Sequence, residues 1–152
     1  MKIAIGSDHA GFPTKAALAD HLRKSGYEVE DYGTLTEQPC DYPPFAEKVA
    51  RAVVDKKSDF GILVCSTGIG MSIAANKVPG VRASLVMTER MATDTKIHNN
   101  SNVLVLAGRE LPIETNLGLA DVWLKSTFSN VERHARRVQE IVDIEKKYLK
   151  GS

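Results

Sequence analysis

Apolar and polar positions follow two rhythms along this chain. Short runs rich in Val, Ile and Leu read as buried strands, and stretches with apolar residues three and four apart read as helices. The strand-like runs are Lys2 to Gly6, Phe60 to Cys65, Val81 to Val86 and Val103 to Ala107. Tyr27 to Tyr32 alternates apolar and acidic residues, as an outer strand would. Ala16, Ala17, Leu18 and Leu22 form a helical face after Pro13, ending at Gly26; Phe45, Val49, Ala52 and Val53 form another within Phe45 to Lys56. Further helices are predicted from Met71 to Lys77, from a cap at Thr88 to about Ile97, and from Pro112 through Leu117, Leu119, Ala120 and Trp123. Ser129-x-x-Glu132 has the form of a capping box for a long last helix, with Val131, Val138, Ile141, Val142 and Tyr148 on its apolar side. Gly33 to Pro44 reads as a loop and His98 to Asn102 as a polar connection. Strands alternating with helices predict an α/β fold, a parallel sheet covered on both faces. Such sheets bind ligands beyond the carboxyl ends of their strands.

A length of 152 residues suits one domain, 1–152, with a real core. The net charge of +1, without a block of one sign, argues against nucleic acid or a membrane surface as the main partner. The apolar runs are too short to span a bilayer, and Met1-Lys2 runs straight into Ile3-Ala4-Ile5 without a signal-peptide pattern. Cys40 and Cys65 have neither metal-ligand spacing nor a disulfide framework. A reducing cytoplasm and a site without metal or cofactor are the expectations.

The organising stretch is F-G-I-L-V-C-S-T-G-I-G-M, Phe60 to Met71. A buried strand ends abruptly in Ser66-Thr67-Gly68-Ile69-Gly70, whose glycines allow a tight turn that brings backbone N–H groups close to a ligand. Cys65 then lies at a strand's carboxyl end, facing a helix N-terminus, where a thiol ionises more readily than a free one. Taken alone it would be a structural cysteine; its neighbours change the reading. Asp8-His9 follows the first strand and Arg109 the fifth, so all three loops point to one edge. Arg133 and Arg137, at i and i+4, share a helix face; they are either a solvated basic patch or a phosphate clamp, and Arg136 is rotated away. Tyr42 either anchors its loop or lines the pocket. His98-Asn99 precedes a strand, so simple topology puts it at the opposite edge. Either its loop curls back or it serves a neighbouring subunit.

A thiol, the Thr67 hydroxyl, backbone donors, two histidines and paired arginines suit proton transfer beside a carbonyl of a phosphorylated small molecule. G-x-G-x-x-G is missing after the first strand, which disfavours a dinucleotide-dependent oxidoreductase. A cysteine phosphatase would need arginine where Met71 stands, and a phospho-acceptor domain aspartate where Cys65 stands. A non-catalytic sugar-phosphate sensor could keep the arginines and the glycine loop, but has no need of the thiol.

With these residues in view, the chain resembles the type B ribose-5-phosphate isomerases, a family that includes galactose-6-phosphate and allose-6-phosphate isomerases. The resemblance covers nearly the whole chain. It rests on G-S-D-H-A-G-F near the start, D-Y-P at 41–43, C-S-T-G-I-G-M-S-I-A-A-N-K at 65–77, H-N at 98–99, N-V-L at 102–104 and R-H-x-x-R-V at 133–138. It implies a Rossmann-like three-layer fold with a five-stranded parallel sheet, and a homodimer or homotetramer with active sites at the subunit interface. It also implies cofactor-free aldose–ketose isomerisation of ribose 5-phosphate and ribulose 5-phosphate in the pentose phosphate pathway, or of a six-carbon phosphate. By this resemblance Cys65 is the base that removes the C2 proton and Thr67 assists the transfer. Asp8 and His98 help to open the sugar ring, and the backbone of Ser66, Gly68, Ile69 and Gly70 holds the enediolate. Asn99 contacts sugar hydroxyls, with Tyr42 at the pocket, and His9, Arg109, Arg133 and Arg137 contact the phosphate, some from the partner subunit. Ser66 stands where the family usually has glycine. Met71 stands where one branch of the family has a glutamate base, which points to Cys65 as the base here. A branch of heteromeric galactose-6-phosphate isomerase subunits lacks the cysteine.

Overall fold

The computed structural model describes residues 1–149. Five parallel strands form one sheet in the order β2-β1-β3-β5-β4: β1 Lys2–Ser7, β2 Glu28–Asp31, β3 Phe60–Cys65, β4 Ala83–Leu85 and β5 Val103–Ala107. The helices are α1 Phe12–Lys24, α2 Pro43–Val54, α3 Ile69–Ala75, α4 Glu89–Asn99, α5 Ile113–Lys125 and α6 Glu132–Leu149. The α/β expectation holds, and both faces of the sheet are covered.

Period-two alternation sorts each strand between two cores. Ile3, Ile5, Ile62, Val64, Leu104 and Leu106 pack with Leu18 and Leu22 of α1 and Leu119 and Trp123 of α5. Ala4, Leu63, Cys65, Val103 and Val105 pack with Val49 and Val53 of α2 and Met71 of α3. β3 and β5 are therefore free of charged residues throughout, and β1 from Ile3 to Gly6, as a sheet buried on both sides demands. After β2 the chain crosses back over β1 to place β3, so the switch in strand order lies between β1 and β3.

Several element boundaries differ from the sequence reading. α2 begins at Pro43 inside the expected loop, because Pro43 and Pro44 occupy first-turn positions that need no N–H. α3 starts at Ile69, since Gly68 at φ 80° turns the chain straight into the helix. α4 runs on through Asn99 before Asn100 closes it in the left-handed region at φ 49°, so His98 and Asn99 are helical rather than part of a polar connection. β4 keeps only three residues. The Asn76 side chain donates to Ala83 O at 2.9 Å and accepts from Ala83 N at 2.8 Å, taking the place of a strand partner. The expected capping box does not form: Ser129 Oγ lies 2.6 Å from His134 Nδ1, and the Glu132 carboxylate pairs with Arg136 at 2.7 Å. The apolar side of α6 is not covered either. Ile141, Ile144 and Tyr148 are exposed, and His134 is the helix's buried residue.

Candidate active site

Three loops meet at the carboxyl edge of the sheet. Ser7 pairs in register with Val64, and Cys65 with Ala107. One residue beyond Ser7, Asp8 therefore leaves the sheet beside Cys65. The β3 and β5 loops are stitched together: the Gly108 N–H donates to Cys65 O at 2.8 Å and the Arg109 N–H to Ser66 O at 3.0 Å. These bonds carry Arg109 to the rim of the glycine loop.

Cys65 is the last residue of β3 and is 5% exposed, its side chain turned to the α2–α3 face. Ser66 is half-buried, while Thr67 and Ile69 are exposed. Thr67 Oγ1 accepts the Ile69 N–H at 3.3 Å, which stiffens the turn. At Gly68 the left-handed backbone favours glycine, and a Cβ would come within 2.5 Å of Leu85 Cδ1. A Cβ on Gly70 would lie 2.5 Å from the Tyr42 ring. Tyr42 thus rests against the first turn of α3 and forms one wall of the loop.

Asp8, 6% exposed, accepts the Gly11 N–H at 2.9 Å, so it serves the turn before α1 as well as facing the edge. His9 Nδ1 accepts the Cys40 N–H at 3.2 Å. That bond places the proton of the neutral ring on Nε2, a donor suited to a phosphate or hydroxyl oxygen. Cys40, which sequence reasoning set aside, thereby helps to orient a site residue; nothing in its sequence neighbourhood signals this.

The remaining candidates gather elsewhere. His98, Asn99, Arg133, His134 and Arg137 line one pocket, where α4 ends and α6 begins. The His98 and His134 rings touch with centroids 4.4 Å apart and planes tilted by 42°. Burial, and then the nearby His98, Arg133 and Arg137, hold His134 below the ordinary histidine range. Arg136 turns away to Glu132, whereas among the described residues neither Arg133 nor Arg137 has a carboxylate partner. α4 ends just before β5 starts, so this pocket lies at the amino edge of the sheet, and α4 packs on the face opposite Cys65. The length of β5 alone, roughly 13 Å, separates the two edges. The alternative of a loop curling back is excluded, because His98 is inside the helix.

The model of the ribose/galactose isomerase family matches residues 3–141. The chain belongs to that family. Family relatives align over nearly their full length. Ribose-5-phosphate isomerase B of Escherichia coli is 41% identical over 146 residues, covering 96% of this chain and 97% of its own. The Clostridium thermocellum ribose-5-phosphate isomerase B structure superposes with a TM-score of 0.95 at 49% identity, covering 97% and 99% of the two chains. That of Mycoplasma genitalium, solved with bound ribulose 5-phosphate, gives 0.90 at 40% identity, covering 95% and 96%. Among the described residues no helix is long and apolar enough to cross a membrane.

Proposed function

We propose that this protein interconverts ribose 5-phosphate and ribulose 5-phosphate, with residues 1–152 as one isomerase domain. What supports the reading is the meeting of Asp8-His9, Cys65 to Gly70 and Arg109 at one sheet edge, in a family relative of which was solved with ribulose 5-phosphate bound. Asp8 and His98 assist ring opening. Cys65 Sγ takes the C2 proton, and the electron pair moves into the C1–C2 bond as the C1 carbonyl becomes an enediolate oxygen. Backbone N–H groups of Ser66, Gly68, Ile69 and Gly70 hold that charge. Thr67 passes a proton between the two oxygens, and Cys65 returns its proton to C1. Tyr42 and Asn99 contact the sugar; His9, Arg109, Arg133 and Arg137 hold the phosphate. The step needs no metal or other cofactor. On this reading the protein works in the pentose phosphate pathway, in the cytoplasm.

One subunit supplies Cys65 and its loop, and a partner supplies His98, Asn99, Arg133 and Arg137. Two observations favour such a homodimer: the two groups lie at opposite edges of one chain, and α6 leaves Ile141, Ile144 and Tyr148 uncovered for a second copy.

A coupled assay with ribose, allose and galactose phosphates tests the reading. Turnover is expected with ribose 5-phosphate, undiminished after a strong chelator and dialysis. Faster turnover of a six-carbon phosphate would change the substrate, and metal-restored activity would change the mechanism. Arg133→Ala and Arg137→Ala are each expected to weaken a phosphorylated inhibitor by roughly 1.5–3 kcal/mol, with the melting temperature nearly unchanged because both side chains are exposed. Wild-type affinity in both variants would reduce the pair to a solvated face.

A further inference from the structure

Lys96 is a core residue with a charge to place. It lies in the last turns of α4, is 3% exposed, and its Nζ has no hydrogen-bond partner among the described residues. Leaving an ammonium buried without such partners is costly: burial by itself draws Lys96 down to about 7, and the attraction of ring faces for a cation opposes that shift. What faces the nitrogen instead is a pair of aromatic rings. Nζ sits 3.3 Å from the centroid of Phe60 and 3.7 Å from that of Trp123, and these rings meet edge to face at 74°. The cage is braced: the Trp123 indole N–H donates to Ser101 Oγ at 2.8 Å, and the Ser101 N–H donates to Thr95 O at 3.2 Å. Start of β3, end of α5 and end of α4 thus converge on one cation.

We infer that Lys96 is a positioning residue for His98 and Asn99: its ammonium, gripped by the ring faces of Phe60 and Trp123, fixes the turn of α4 from which those side chains project. Successive helical residues are about 100° apart, so His98 points away from Lys96, out toward His134 and the arginines. A peg on the inner side of the turn sets the angle of the outer side. An apolar side chain would fill the same space and hold the turn less firmly, since ring faces attract a cation. The inference rests on the role given to His98 above.

Lys96→Met keeps length and volume and removes the charge; Lys96→Arg keeps the charge; Phe60→Leu removes one ring. Lys96→Met is expected to hold or raise the melting temperature while lowering kcat/KM for ribose 5-phosphate at least about tenfold. It is also expected to broaden and shift the His98 Cε1–H NMR resonance, assigned through His98→Gln. Lys96→Arg should restore most of both readouts, and Phe60→Leu should reproduce the losses in milder form. Wild-type values for Lys96→Met on both readouts overturn the inference, as does a loss that Lys96→Arg shares in full. If Lys96→Met does not fold, wild-type behaviour of Phe60→Leu overturns it equally. Should the wild-type protein fail to turn over ribose 5-phosphate, the functional reading falls, and the His98 resonance still decides the role of Lys96.

Discussion

Cys65→Ala is expected to lower the turnover number by about 10²–10⁴-fold, the usual loss when a general base is removed. Fold and phosphate affinity are expected to survive. Alanine keeps the Cβ, the side chain lost is small, and the arginines proposed to hold the phosphate, Arg133 and Arg137, lie at the far edge of their own sheet. Turnover alone would not identify the step that fails. Exchange of the substrate C2 proton with deuterated water does, because it reports proton removal even when product release is slow. Cys65→Ala with near-normal turnover or undiminished C2 exchange would return the search for a base to Asp8 or His98.

The second large effect concerns sites shared between subunits. Cys65→Ala and His98→Gln homodimers are each expected to be nearly inactive, since every site carries a lesion. In a mixed dimer both lesions fall in one site and the other site is intact. Random exchange makes half the dimers mixed, so mixing should recover about a quarter of wild-type activity by C2 symmetry. The measurement is activity after subunit exchange, with mixed dimers verified by mass spectrometry. Mixed dimers without recovered activity, or an active monomer on sedimentation, would place each site within one chain.

Much of this architecture was legible in the sequence, for physical reasons. Phe60 to Cys65 and Val103 to Ala107 are apolar at consecutive positions, a pattern few elements other than a doubly covered strand produce. Glycines then marked where the chain leaves the sheet, which located Cys65 and its loop. Helix ends were less legible. Polar residues around His98 looked like a loop, yet Asn100 can adopt left-handed angles and close a helix that runs through them. The apolar stripe of α6 was visible, but periodicity does not say what covers a stripe. Lys96 gave no signal at all, and His134 only its place in R-H-x-x-R-V. Their settings depend on Phe60 and Trp123, and on His98 and Ser129, which only the folded chain brings near.

The amide of Asn76 has a wider consequence. β4 is an outermost strand, and its main chain at Ala83 is already engaged by that one side chain. At the other border, β2 carries Glu28, Glu30 and Asp31. An edge engaged by its own side chain and an edge lined with charged side chains are both poor templates for a foreign strand. Sheet-to-sheet growth between copies of this protein is thereby disfavoured.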